Sequence, residues 1–256
     1  MSGPGTAVVV GGASGIGESC SRMMVSRGWD VVIVDRDEAG AAIAVDAGAR
    51  FRRADITVAD EVDSVADELS REGDGVAAVV VTAAAFQDTL APQDIGDELW
   101  DRIVAVNLTG TYRINKAFGL RMVGRGRGAI VNVSSVAGIA STPLHAYGPA
   151  KAGVISLVQS LAGEWGRAGV RINCVTPGLT LTPRIEARLK AGVRYAGSPG
   201  DHTALGRPVY PAEVAEAIEF LASPRASGIT GANLVVDAGM VVAGTWGMYG
   251  GVRRPS

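Results

Sequence analysis

A chain of 256 residues, 47% apolar and 20% charged, is long enough for one large domain with a full core and has the composition of a soluble globular protein. A formal net charge of −2 with no basic stripe argues against nucleic acid or an anionic membrane as partner, and Arg253 and Arg254 read as a polar tail. No apolar run reaches the length that spans a bilayer, and the first residues hold no signal-type segment, so a cytoplasmic protein is expected.

The first predicted element is a strand over 6–10. It runs into Gly11-Gly12-Ala13-Ser14-Gly15-Ile16-Gly17 and then into a helical pattern. A β-branched apolar run of this kind reads as a buried parallel strand. The glycines allow a tight turn and a close backbone approach to a ligand. The helix N-terminus beyond them suits a pyrophosphate. A second strand, 31–34, ends at Asp35, 18 residues past Gly17, close to the spacing at which an acid meets the adenosine ribose hydroxyls.

Further strands are predicted near 50–54, 76–82, 128–133, 170–176 and 233–236. Helical patterns fall at 58–72, 98–122, 146–167 and 211–222. The alternation implies right-handed βαβ units and a parallel sheet covered on both faces. Ligands of such sheets lie beyond the carboxyl ends of the strands, near the point where the strand order reverses. No linker or repeat divides the chain, so a single domain over 1–256 is expected. Cys20 and Cys174 fall in helix and strand patterns and read as buried, inert thiols. Two histidines far apart in sequence argue against a histidine-based metal site, and no metal is expected.

At the predicted strand ends the chain reads Thr82-Ala83-Ala84-Ala85, Asn132-Val133-Ser134-Ser135 and then Tyr147-Gly148-Pro149-Ala150-Lys151. Tyr147 and Lys151, four apart, share one face of a helix. Pro149 fits only a first turn, which puts the helix start near Ala146. An ammonium near a phenol favours the phenolate and tunes the phenol for proton transfer near neutral pH. The pair taken alone also fits a packed tyrosine and a solvated lysine. The upstream serines and the glycine turn favour catalysis.

With these motifs together, the chain resembles the single-domain short-chain dehydrogenases/reductases of about 250 residues over nearly its whole length. Asp55-Ile56 resembles the family's adenine-flanking pair, and Asn107 its relay-water asparagine. The stretch Arg171 to Gly178 resembles the sixth strand and the turn beneath the nicotinamide. Gly228-Ile229-Thr230-Gly231 and Val235 to Gly239 resemble the last strand. The resemblance implies a Rossmann-type, doubly wound, seven-stranded parallel sheet with helices on both faces. It implies an NAD-dependent interconversion of a secondary alcohol and a ketone. Tyr147 would be the general acid/base and Lys151 its partner. Ser135 would bind the substrate oxygen, and Asn107 would hold a water behind Lys151. Gly11, Ser14, Gly15, Ile16, Gly17, Asp35, Asp55, Ile56, Ala83, Tyr147, Lys151, Pro177, Gly178, Thr180 and Thr182 would hold NAD.

The departures are specific. Val10 replaces a threonine, residues 82–85 replace Asn-Asn-Ala-Gly, and Ala85 stands where the family has glycine. The missing asparagine amides put the local bracing of the sheet in doubt. Counting from the strand selects Ser135, whereas the family's commonest spacing from Tyr147 selects Ser134. Two other functions fit the same chain: an NADPH-dependent 3-oxoacyl thioester reductase, which Asp35 opposes, and a non-catalytic NAD-sensing regulator. Residues 181–205, with Pro183, Gly192, Gly197, Pro199 and Gly200, read as a mobile substrate-covering loop, and His202 as one of its side chains. Surplus apolar residues in the helices 98–122 and 146–167, and the apolar segment 241–249, imply an interface between subunits, and the resemblance implies that the assembly is a homotetramer.

Overall fold

The computed structural model describes residues 4–192 and 198–253. Seven strands form one sheet: β1 (Thr6–Val10), β2 (Asp30–Asp35), β3 (Arg50–Arg53), β4 (Val76–Val81), β5 (Gly128–Val133), β6 (Val170–Pro177) and β7 (Asn233–Val236). All neighbours pair in parallel, in the order β3-β2-β1-β4-β5-β6-β7. The direction of winding therefore reverses between β1 and β4, and a crevice opens there at the carboxyl ends.

The strands read as continuous apolar runs because both faces of the sheet are covered. Val8, Val10, Val79 and Val81 point to one face and pack with Val62, Leu69, Phe118 and Val158. These partners come from α3 (Ala59–Arg71), α5 (Thr111–Arg125) and α6 (Tyr147–Trp165). Ala7, Val9, Val80 and Val131 point to the other face and pack with Met24, Ala44, Ile218 and Leu221. Those come from α1 (Gly15–Ser26), α2 (Gly40–Ala47) and α8 (Pro211–Ala222). Cys20 and Cys174 are buried free thiols, and burial pushes them up to about 12 and about 11.

Two expectations change. The single helix expected over 98–122 is interrupted. Helix α4 (Asp97–Val104) passes into a π-helical segment, Ala105–Gly110, before α5. Asn107 sits in that wider turn and donates both to Ile103 O within the helix and to Ala85 O outside it. Single π turns of this kind concentrate at functional sites. The stretch expected as a loop over 181–205 begins with a helix, α7 (Pro183–Lys190), capped by Thr182, whose hydroxyl accepts from Ile185 N–H. Residues 193–197 of that stretch, Gly197 among them, lie outside the described residues, as does Arg254 of the polar tail. Helix α9 (Met240–Ala243) opens the C-terminal segment. Among the described residues no helix is long and apolar enough to cross a membrane.

Candidate active site

Above β1 and β2 lies a cleft of about 610 Å³. Gly11, Ser14, Gly15, Ile16, Gly17, Asp35, Asp55, Ile56, Ala83 and Thr182 all line it. Two glycines leave no alternative there. Gly11 has φ +76°, and a Cβ on it would lie 2.5 Å from Ala83 N. A Cβ on Gly17 would meet Gly11 O at 2.1 Å. The turn is thus closed by backbone against backbone, with α1 starting at Gly15 and its N-terminus facing the cleft. Asp35 ends β2, and one of its carboxylate oxygens accepts from Asp37 N–H at 3.2 Å. Asp55 accepts from the Thr57 N–H and hydroxyl at 2.8 and 2.7 Å. Burial alone would raise its pKa, but those bonds and the nearby Arg36 and Arg53 hold the carboxyl below its usual value. The side-chain-free cradle with an acid at its far end fits a dinucleotide.

The departure at residues 82–85 has a structural counterpart. The Thr82 hydroxyl donates to Val10 O at 2.8 Å and lies 3.1 Å from Gly11 O, tying β4 to the glycine turn. A second brace is the buried pair Asn115 and Asn132, which exchange amide hydrogen bonds at 2.8 and 3.0 Å between α5 and β5. Local bracing is thus supplied by a hydroxyl and by an amide pair that sequence reading missed.

A cavity of about 350 Å³ adjoins the cleft and shares Ile16, Thr82, Phe86, Thr182 and Arg184 with it. Ser135, Tyr147, Lys151, Pro177, Gly178 and Thr180 line it. Tyr147 is the first residue of α6 and Lys151 lies one turn on, its Nζ 5.7 Å from the phenol ring centroid. Burial pulls the Lys151 ammonium down to about 8, only partly offset by Cys174, and its Nζ donates to Val133 O at 2.8 Å. The two serines separate clearly. Ser134 is buried and its hydroxyl donates to Lys151 O at 2.8 Å. Ser135 lies partly exposed at the cavity wall, where its oxygen accepts from Ala137 N–H. The Thr180 hydroxyl donates back to Gly178 O at 3.1 Å. Asn107 is fully buried behind this wall, and its Oδ1 has no hydrogen-bond partner among the described residues. Among those residues no cluster of His, Cys, Asp or Glu is disposed to hold a metal ion.

Sequence reading also missed Phe86, Gln87 and Arg184. Phe86 stacks on Tyr147 with ring centroids 5.9 Å apart. The Arg184 guanidinium sits 4.2 Å from the Phe86 centroid. Gln87 is buried and caps the start of α6. No periodicity or motif marks this loop; only the folded chain brings it onto α6.

A family profile described as Enoyl-(Acyl carrier protein) reductase matches residues 11–241. Galactitol 2-dehydrogenase of Rhizobium johnstonii is 38% identical over 91% of this chain and 93% of its own. Cis-4-hydroxycyclohexanecarboxylate dehydrogenase of Sinomonas cyclohexanicum is also 38% identical, over 91% of this chain and 95% of its own. Among solved structures, a Brucella melitensis 16M protein described as ribose-5-phosphate isomerase has a TM-score of 0.95 and 46% identity, covering 99% of this chain and 98% of that one. A Burkholderia thailandensis oxidoreductase of the short-chain dehydrogenase/reductase family has a TM-score of 0.88 and 34% identity, covering 96% of each. A sheet that reverses at β1 and β4, a glycine cradle at that reversal and relatives matched nearly end to end lead to one conclusion: this chain belongs to the short-chain dehydrogenase/reductase family, the NAD(P)-dependent oxidoreductases of alcohols and ketones.

Proposed function

We propose that this chain is an NAD-dependent dehydrogenase interconverting a secondary alcohol and a ketone, with Tyr147 as general acid/base. The observation that carries this reading is the cavity lined by Ser135, Tyr147 and Lys151, which opens into the glycine cleft. When bound, a nicotinamide dinucleotide supplies the hydride acceptor or donor. Tyr147 takes the proton from the substrate hydroxyl, or returns it to the ketone oxygen. The Lys151 ammonium, on the same helix face, favours the phenolate. The Ser135 hydroxyl bonds the substrate oxygen and steadies the charge that develops there. Asn107 holds a water behind Lys151, for which its unpartnered buried oxygen is the support. Asp35, at the far end of the cleft, accepts from both adenosine ribose hydroxyls and would repel a 2′-phosphate.

Arg36, beside Asp35 in the cleft, is the residue a phosphate-bearing cofactor would use. It is the observation that keeps the NADPH-dependent 3-oxoacyl thioester reductase as the second reading. A sensor of NAD has no need of the Ser135, Tyr147 and Lys151 arrangement. A ribose-5-phosphate isomerase, the name carried by one structural neighbour, would leave the glycine cradle and Asp35 without a role. Relatives named for galactitol and for a hydroxycyclohexanecarboxylate support a hydroxylated small-molecule substrate.

The test is NADH appearance at 340 nm across cyclic alcohols, polyols, steroids, diols and 3-hydroxyacyl compounds, run with NAD and with NADP. The reading expects turnover with a higher kcat/KM for NAD. It expects a loss of at least ~10²-fold in Tyr147→Phe with little change in NAD affinity. Silence across the panel despite tight NAD binding would favour the sensor, and a preference for NADP would favour the reductase.

A further inference from the structure

We infer that Met240 is a specificity-determining residue, a fixed wall of the substrate cavity that limits the size of the group carried beside the carbinol. The inference rests on the dehydrogenase reading and adds to it what the cavity admits. Met240 lines the same cavity as Ser135, Tyr147 and Lys151. It opens α9 and is joined to the end of β7 by a turn of three residues, Asp237, Ala238 and Gly239. That turn is strained. Ala238 has φ +53° and Gly239 φ +78°, two left-handed residues in succession. Glycine takes this conformation freely, whereas the Cβ of an alanine crowds the following carbonyl. Ala238 is the one non-glycine residue with positive φ among the described residues. Outliers of this kind persist only where the surroundings over-determine them, and they gather at ligand clamps.

What holds the turn is explicit. Asp237 is buried, and its two carboxylate oxygens accept separately from Gly239 N–H and Val241 N–H, each at 2.8 Å. Met240 N–H donates to Asp237 O at 3.1 Å, and Ala238 O accepts from Leu205 N–H at 3.0 Å. Neither side has slack. A Cβ on Gly178 would lie 2.8 Å from Asp237 Cα, and a Cβ on Gly239 would lie 2.6 Å from Ala204 Cβ. The turn is thus wedged between the end of β6 and the segment that follows the short turn Pro199–His202, and both reach the cavity, through Gly178 and His202. With its backbone fixed in this way, Met240 can yield to a substrate only by its side chain. A thioether presents carbon and sulfur, so the part of the substrate it meets is hydrocarbon. A cavity of about 350 Å³ is at the small end of ligand pockets, roughly 300–1,000 Å³. The geometry fits a compact body, a single ring with a short substituent.

The experiment measures kcat/KM with NAD for cyclohexanol, 4-methylcyclohexanol and 4-tert-butylcyclohexanol. The parent is expected to favour the methyl over the tert-butyl compound by about tenfold, the scale at which a pocket discriminates by size. Met240→Ala leaves the turn intact and opens the wall, so that preference is expected to fall about tenfold, through the KM of the larger alcohol. Met240→Leu is expected to keep most of it. Asp237→Ala releases the Gly239 and Val241 N–H groups and is expected to lower the preference in the same direction. Asp237→Asn, which keeps one acceptor oxygen, is expected to fall between the parent and Asp237→Ala, and it carries the test if the alanine variant does not fold. An unchanged preference in Met240→Ala would overturn the inference and leave the dehydrogenase reading standing. An Asp237 variant with a lowered Tm and an unchanged preference would overturn the part given to the turn. Turnover of polyols with none of the three cyclohexanols would overturn the hydrocarbon contact, and the inference with it. If no alcohol of any kind reduces NAD, the dehydrogenase reading itself fails and takes this inference with it.

Discussion

The side-chain oxygen of Gln87 accepts a hydrogen bond from the backbone N–H of Tyr147 at 3.0 Å, and a second from the Ala146 N–H at 2.9 Å. The first N–H groups of a helix have no partner within it, and a buried helix end needs one from outside. Gln87, itself buried in the loop after β4, answers that need where the proposed acid/base sits. The loop on the cofactor side therefore sets the entry of α6 and the place of its first side chain.

Gln87→Met keeps the bulk and removes the acceptor. It is expected to cost about 1–2 kcal/mol, the usual scale for a lost cap, which lowers Tm by roughly 2–8 °C in a domain of this size. If Gln87 also positions Tyr147, kcat measured well below Tm falls about tenfold, the scale of a ~1.4 kcal/mol loss in the transition state, with the KM of NAD little changed. A variant with lowered Tm and a kcat within twofold of the parent would leave Gln87 a purely structural cap.

The fold was legible in the sequence because apolar runs, glycine turns and helical spacing alternate without interruption. A doubly wound sheet places its chemistry at the strand ends, so the order of strands and turns was enough to locate Gly11, Asp35 and Ala83. Three kinds of feature were not legible. The π turn at Asn107 widens the helix by only about one residue per turn, too small a change of phase for the apolar pattern to report. Phe86 meets Tyr147 and Arg184, and Gln87 meets the start of α6, only because β4, β5 and β6 end at the same rim of the sheet, and no local spacing reports that. The choice between Ser134 and Ser135 turns on which hydroxyl the α6 backbone engages, and motif spacing and strand counting gave opposite answers.

The serines are expected to behave differently when changed one at a time. Ser134 gives its hydroxyl to Lys151 O, so Ser134→Ala is expected to cost ~1 kcal/mol of stability with most of kcat kept. Ser135→Ala removes the hydroxyl at the cavity wall and is expected to lower kcat/KM by ~10²-fold, the scale of one lost oxyanion donor. Steady-state kinetics and thermal melts on both variants decide the matter. A larger kinetic loss in Ser134→Ala would reverse the assignment.

Lys151 gives the protein a defined dependence on pH. Burial lowers its pKa from 10.5 to about 8, so between those two values the unfolded chain binds more protons than the folded one. Stability contributed by this group therefore rises with pH across that window and is lowest below it. In the unliganded protein, the difference in Tm between the parent and Lys151→Met is expected to shift in favour of the parent from pH 7 to pH 10. Melting curves at matched ionic strength measure it. A difference that stays constant across the window would mean that Lys151 does not titrate there.

Assembly is the last expectation. In α4 and α5 the faces divide: Ile103 and Phe118 are buried, while Trp100, Tyr112 and Leu120 stay exposed at 43%, 45% and 52%. In α6, Val154 and Val158 are buried, and Ile155 and Leu157 lie partly open beside them. At the C-terminus Val242, Trp246, Met248 and Tyr249 are exposed at 71%, 49%, 80% and 82%. Large apolar side chains grouped in this way mark surfaces that a partner covers, and a two-fold axis lets one patch cover its own copy. We expect a homotetramer in which the α5 and α6 faces form one interface and the terminal segment another. Leu120→Glu buries a charge at the first interface and is expected to reduce the assembly by light scattering. A chain ending at Gly244 is expected to lose the second interface and to alter the substrate KM if the segment also closes the cavity, where Met240 already forms part of the wall. A monomeric parent protein would reject the assembly altogether. A truncated chain that remains tetrameric with an unchanged KM would reject the role of the terminal segment alone.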